Sequence, residues 1–324
     1  MGRLSPGGAY CASGAALVSL KPAIDDAASS MPNGIIESDE TVNLIGSLQN
    51  SGALTASAVT GIVTTPDPII INNPNAVYPD ILPAAIQTCT SCYSITAPLA
   101  NRTATHWDVT VRESPACSAC STSWYEFLYH IGSSFTDVPI SNIFYSYIET
   151  LLHSGVTAGC TGTTFCPSST VTRDQMAKFI CASMNKKKPG SCTPATCTGI
   201  FTDVTAANIF CPYIEALYTA GVVNGCLASP LSYCPANTVQ RQQMAKFMCN
   251  AMNTIIPGSC PIASCTAMFD DVQPSNVFCS YIEGLYNAGV ISGCQSSPML
   301  YCPANLLSRS QMAKFLVTAF GFTL

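Results

Sequence analysis

Up to about residue 132 the chain alternates between apolar and polar positions. His106-Trp-Asp-Val-Thr-Val-Arg puts Trp107, Val109 and Val111 on one face of an extended segment, and Tyr125, Phe127, Tyr129 and Ile131 alternate in the same way. Apolar runs at 42–48, 59–63 and 69–71 are separated by Asn-Ser-Gly, Pro-Asp-Pro and Asn-Asn-Pro-Asn turns. That spacing predicts a sandwich of short strands over residues 34–132. Beyond it the period changes from two to 3.6. Phe144, Tyr147, Ile148, Leu151 and Leu152 lie on one helical face, and Gly155 ends the helix as a left-handed cap. A second helix opens with Thr172-x-x-Gln175, a capping-box pattern, and buries Met176, Phe179 and Ile180.

This helical pattern recurs three times. Phe135-Thr-Asp137-Val returns as Phe201-Thr-Asp203-Val and Phe269-Asp-Asp271-Val, and Tyr147-Ile-Glu149 as Tyr213-Ile-Glu215 and Tyr281-Ile-Glu283. Gly155-Val is matched by Gly221-Val and Gly289-Val. Arg173-Asp-Gln-Met-Ala-Lys-Phe179 is matched by Arg241-Gln-Gln-Met-Ala-Lys-Phe247 and Arg309-Ser-Gln-Met-Ala-Lys-Phe315. Each unit therefore reads as two helices joined by a long loop. The units span 133–190, 199–256 and 267–324, behind a partial N-terminal segment, 1–33, and the β domain.

The cysteines follow the repeat. Cys160/Cys166, Cys226/Cys234 and Cys294/Cys302 bracket the inter-helix loops, so a bridge inside each unit is expected. Cys181 and Cys249 end second helices, whereas Cys211 and Cys279 lie in the next first helices. The corresponding positions at the array's two ends are Tyr145 and Val317, where there is no neighbour to pair with. We therefore expect Cys181–Cys211 and Cys249–Cys279 staples, with Cys192/Cys197 and Cys260/Cys265 pairing locally in the linkers. In the β domain, Cys89-Thr-Ser-Cys92 and Cys117-Ser-Ala-Cys120 have the spacing of a four-cysteine zinc site. In an exported chain disulfides, local or crosswise, are the favoured reading.

Nineteen cysteines point to oxidising surroundings, yet the N-terminus shows no secretory core. The sequence is expected to start inside a longer protein, which would also leave Cys11 without its partner. A net charge of −5 with 10% charged residues supplies no basic face for nucleic acid. No stretch has the ~20 apolar residues of a membrane-spanning helix.

The recurring Phe-x-Asp-Val, Tyr-Ile-x-x-Leu-x-x-x-Gly-Val and Val-Thr-Arg-x-Gln-Met-Ala segments resemble the S-layer homology (SLH) family in a cysteine-rich form, over residues 134–324. The resemblance implies helical hairpins around a pseudo-threefold axis, whose grooves bind an acidic cell-wall polysaccharide. It also implies a ligand-facing role for Arg173, Arg241 and Arg309. Where the family usually carries glutamate, this chain has Gln175, Gln243 and Gln311. An arginine beside the free N–H groups of a helix N-terminus makes an anion site. The alternative is an internal ion pair with Glu149, Glu215 and Glu283, or with Asp137, Asp203 and Asp271. These aspartates are also natural turn or helix caps. Asn33-Gly-Ile-Ile-Glu37-Ser-Asp39-Glu40 followed by Gln49-Asn50-Ser-Gly52 resembles immunoglobulin-like spacer domains of secreted bacterial proteins. The expected class is thus α+β multidomain: an immunoglobulin-like β-sandwich, then an all-α array.

Glu37, Asp39 and Glu40 offer either a calcium cluster or a solvated turn, and Asn101-Arg-Thr103 is a formal glycosylation pattern. His106 and His130, expected in strands, and His153, in a helix, have no catalytic company, and no nucleophile elbow or phosphate loop is present. No enzyme activity, cofactor or metal site is therefore expected. The leading expectation is an extracellular, envelope-anchoring protein that binds cell-wall polysaccharide. A self-assembling surface protein and the tail of a secreted hydrolase are the alternatives.

Overall fold

The computed structural model describes residues 14–29, 32–102, 104–121 and 123–324. Cys11 and Thr103 of the glycosylation pattern lie outside them. The chain has both sheets and helices and divides into two compact units, 1–141 with Leu324, and 142–323.

Among the described residues the N-terminal unit holds nine strands: β1 (Leu17–Asp25), β2 (Thr41–Asn50), β3 (Thr60–Thr64), β4 (Ile70–Asn73), β5 (Asn75–Val77), β6 (Ile86–Thr88), β7 (Tyr93–Thr96), β8 (Asp108–Ala116) and β9 (Tyr125–His130). One antiparallel sheet runs β1-β2-β7-β4, with β6 also on β2, and the other runs β5-β3-β8-β9. The expected alternation produces the core: Val109 pairs with Tyr129 and Val111 with Phe127, all inward. They meet Val42, Leu44, Leu48 and Ile95 of the first sheet in one apolar cluster. Two expectations shift. The sheet begins at Leu17 rather than at residue 34, because β1 pairs along β2 despite a register shift between Leu20 and Ala23. His106 precedes β8 instead of lying in it.

Between the sheets lies a polar group that the sequence pattern hides. The fully buried Glu113 accepts hydrogen bonds from Tyr78 (2.7 Å), Tyr93 (2.5 Å) and Ser19. Burial, and next the Glu113 charge, push both phenols far above their ordinary range. Gly46 and Gly61 make room for this network, since a Cβ would fall 2.1 Å from the Tyr78 oxygen and 2.0 Å from the Tyr93 oxygen, respectively.

The C-terminal unit has three helix pairs: α1 (Tyr145–His153) and α2 (Arg173–Lys187), α3 (Cys211–Thr219) and α4 (Arg241–Ile255), α5 (Cys279–Asn287) and α6 (Arg309–Phe320). Small hairpins, β10–β11 (Leu227–Ala228, Leu231–Ser232) and β12–β13 (Gln295–Ser296, Met299–Leu300), lie in the second and third inter-helix loops. The apolar faces drive the packing. Ile148, Leu151 and Leu152 of α1 are buried, as are Met176, Phe179 and Ile180 of α2; the counterparts are buried too, except those of Leu152, where Tyr218 is half-buried and Tyr286 exposed. Helices α2, α4 and α6 touch one another, while α1 packs on α6, α3 on α2 and α5 on α4. Backbone bridges Thr172–Thr238, Gln240–Leu306 and Ser308–Thr170 join the segments that lead into the second helices in a closed cycle.

The first helices end as expected: Gly155, Gly221 and Gly289 take φ of +78°, +72° and +71°. The second helices start on capping boxes, in which Gln175, Gln243 and Gln311 accept from the N–H of Thr172, Gln240 and Ser308 at 3.4, 3.0 and 3.2 Å. A neutral amide oxygen thus fills the helix-start role that a glutamate would otherwise take.

Replacing Gly61 with alanine is expected to lower unfolding stability by about 1–3 kcal/mol, the usual cost of overpacking a rigid core. Denaturant titration of the oxidised protein checks this; an unchanged midpoint would mean that the tyrosine pair yields without cost.

Candidate functional site

Arg173, Arg241 and Arg309 open α2, α4 and α6, and all three are buried. Their Nε atoms donate to backbone carbonyls of the next pair in the cycle: Tyr233 at 2.8 Å, Tyr301 at 3.0 Å and Phe165 at 2.8 Å. Each guanidinium also lies over the ring that offers the carbonyl, at 4.7–4.8 Å, and over Phe247, Phe315 or Phe179 at 5.2, 5.9 and 5.3 Å. Tyr233 and Tyr301 return a hydrogen bond to the arginine's own carbonyl, both at 2.8 Å. Burial lowers the Arg173 pKa, and the fields of Tyr233 and Asp203 work against that shift.

For Arg173 and Arg241 the expected ion pairs give way to a different use of the carboxylates. Asp203 accepts from the N–H groups of Tyr233 and Cys234, both at 2.7 Å, and Asp271 from those of Tyr301 and Cys302 at 2.8 and 2.7 Å. They hold the loop whose carbonyl receives the arginine. Glu215 accepts from the N–H groups of Thr198, Gly199 and Ile200 at 2.8, 2.7 and 3.0 Å, and Glu283 from those of Thr266 and Met268, both at 2.9 Å. Burial alone would raise these two pKa values, but the N–H groups and the threonine hydroxyls outweigh it, so both carboxyls titrate below their ordinary range. Glu149 is buried at the same position of the first pair, and Asp137 lies before that pair in sequence.

These loop contacts also explain a correction to the cysteine pairing. Cys160–Cys166, Cys226–Cys234 and Cys294–Cys302 close the inter-helix loops. The expected direct staples are replaced by two bridges through each linker: Cys181–Cys192 then Cys197–Cys211, and Cys249–Cys260 then Cys265–Cys279. Asn185 binds the backbone of Cys192, and Asn253 that of Cys260, folding the first linker cysteine back onto the preceding helix. Glu215 and Glu283 gather the rest of the linker, placing Cys197 and Cys265 on the next helix. In the N-terminal unit Cys89–Cys92 and Cys117–Cys120 are local disulfides, not a zinc site. Glu37, Asp39 and Glu40 fix a turn: Glu37 binds Asn33 and Ser133, Asp39 accepts from Leu99 N–H at 2.7 Å, and Glu40 from Glu37 N–H at 2.9 Å.

One cavity in the helical unit draws on all three pairs. It measures about 230 Å³ and is lined by 156–160, Gln175, Lys178 and Phe179 of the first pair, Phe210 before α3, and Arg309 of α6. Two cations line it and no carboxylate does. A cavity of about 360 Å³ beside the first linker carries no cation, and the Glu215 carboxylate in it is already engaged by the linker. The sequence reading passed over Lys178 and its counterparts. Lys246 and Lys314 project over the rings of Tyr281 and Tyr147 at 5.6 and 5.7 Å. The signal was present in the recurring Met-Ala-Lys-Phe, whose lysine is the one polar position in an otherwise apolar stripe.

Residues 134–177 match the S-layer homology domain. The match supports association with the cell surface at a coarse level. The chain is also 24% identical over 169 residues to exoglucanase XynX of Acetivibrio thermocellus, an alignment that takes in 52% of this chain and 14% of that protein. Among solved structures, the ASH/PapD-like domain of human CEP192 overlaps 40% of this chain and 90% of its own at 10% identity and a TM-score of 0.21. Native alpha-2-macroglobulin from Escherichia coli, from domain MG7 to the C-terminus, overlaps 96% and 66% at 8% identity and a TM-score of 0.28. Scores this low carry no weight for the fold.

Glu215→Gln is expected to destabilise the oxidised protein by about 1–3 kcal/mol at neutral pH, the scale of hydrogen bonds to a charged group. The folded pKa is depressed, so the stabilisation is present above the unfolded carboxylate value and is lost as pH falls through the folded one. Wild type and variant should therefore converge in melting temperature in acid. A gap that persists there would show that charge is not the source.

Proposed function

We propose that the three helix pairs are successive SLH repeats and that the protein is a non-catalytic envelope anchor, holding an acidic cell-wall polysaccharide in the grooves between repeats. The observation that supports this most is the charge of the cavity at 156–160: Lys178 and Arg309 line it, and no acid does. Anionic sugars suit such a site, since charge-assisted bonds to a carboxylate are stronger than neutral ones. Phe179 and Phe210 add apolar surface against which sugar rings can lie. Gln175 keeps the helix cap while adding no negative charge where an anionic polymer would pass.

In this reading Arg173, Arg241 and Arg309 shape the grooves and supply positive potential, and the exposed Lys178 with the half-buried Lys246 and Lys314 make the first contact. Asp137, Asp203, Asp271, Glu149, Glu215 and Glu283 support the loops. The N-terminal sandwich acts as an immunoglobulin-like spacer, roughly residues 34–132 together with β1, and the location is extracellular.

Self-association as a surface layer has one observation of its own. Ile143, Ile209 and Val277, equivalent positions before the first helices, are 82%, 78% and 76% exposed, and apolar side chains so placed suit protein contacts.

Cosedimentation of the oxidised protein with wall polysaccharide tests the anchor reading. A Lys178→Gln, Lys246→Gln, Lys314→Gln variant is expected to lose about tenfold or more in affinity, since each charge-assisted bond is worth about 1.5–3 kcal/mol. Undiminished pelleting of the variant would remove the lysines from the site. If neither protein pellets while Ile143→Ser breaks up oligomers of the wild type, self-association takes precedence.

A further inference from the structure

We propose that His106, Asp108 and His130 form a divalent-cation site of the class that accepts zinc, in the N-terminal unit. The two histidines, expected from sequence to be isolated, converge on one carboxylate. His130 Nδ1 lies 2.9 Å from Asp108 Oδ1, and His106 Nε2 lies 3.2 Å from Asp108 Oδ2. The ligand atoms of all three lie within 4.8 Å of one another.

Strand geometry produces this convergence. Asp108 opens β8 and is the direct cross-strand partner of His130, which closes β9. His106 lies two residues before Asp108, just ahead of β8, and its Nε2 reaches the same carboxylate. The ring centroids are 5.7 Å apart at 50°, near each other without stacking. The His130 side chain is fully buried, Asp108 is 18% exposed and His106 41%. One ligand is thus rigidly seated, and another lies at the surface where an ion can enter.

The donor set is chemically selective. Two imidazoles and one carboxylate suit zinc and its first-row neighbours rather than calcium or magnesium, which take oxygen ligands. Zinc bonds to nitrogen and oxygen are about 2.0–2.2 Å, so tetrahedral neighbours sit about 3.3–3.5 Å apart. The two His–Asp separations, each to a different carboxylate oxygen, would open by about 0.1–0.6 Å on binding. Without an ion the same groups hold one another by hydrogen bonds, so the test must count metal. Lys21 is a competing charge within the field of Asp108, its Nζ held 4.9 Å from the Tyr129 ring centroid.

The full oxidised chain, carrying Cys11→Ser so that the unassigned thiol cannot contribute, is stripped of metal and titrated with zinc chloride alone. We expect one zinc per chain and a rise in melting temperature on addition. Asp108→Asn and His106→Gln should each weaken binding by about tenfold or more, since even outer-sphere changes cost that much. Glu126→Gln, on the same strand pair but bonded to Arg112, should bind as wild type does. Melting in chelator confirms that the variants fold. Failure of wild type to bind zinc, or equal binding by all variants, would overturn the proposal.

Discussion

The helical unit depends on three buried guanidiniums. Each opens one second helix and spends its Nε on a carbonyl of the following pair, with an aromatic ring beneath it. An arginine in the first turn of a helix gains nothing from the macrodipole, so its place there is set by what it reaches. Here it reaches across, and because the third arginine returns to the first pair the contacts close into a cycle. No single pair of short helices could bury its apolar face alone. The cycle supplies the missing partner for each and fixes the grooves between them.

A second layer of constraint comes from the linkers. Depressed carboxylates at Glu215 and Glu283 gather the backbone that follows each cysteine bridge, and two disulfides carry the chain from one pair to the next. Each bridge adds about 2–4 kcal/mol through the unfolded state. Polar and covalent restraint thus act on the same few linker residues.

The strands and helices were legible because each follows a single period. Trp107, Val109 and Val111 need only alternation, and Met176, Phe179 and Ile180 only helical spacing. Strand β1 was missed because Lys21-Pro22 and a register shift interrupt its alternation. The Cys181 and Cys249 pairings were misassigned because repeat position shows which cysteines are equivalent, not how a linker folds; Asn185, Asn253 and the two glutamates decide that. The arginines were visible as a motif, yet their burial was not. Nor could the sequence show that Glu113, in an ordinary strand, is the hub of a buried tyrosine network, or that Asp108 brings two histidines together. These depend on cross-strand register, which a one-dimensional pattern does not carry.

The most direct test of the central claim, that a cycle closed by arginine shapes cationic grooves for an envelope polymer, is hydrogen–deuterium exchange of the oxidised chain with and without wall polysaccharide. The account predicts slower exchange in residues 156–160 and at the starts of the second helices, with the strands of the N-terminal unit unchanged. Protection confined to that unit, or none in the helical unit at saturating polysaccharide, would contradict it.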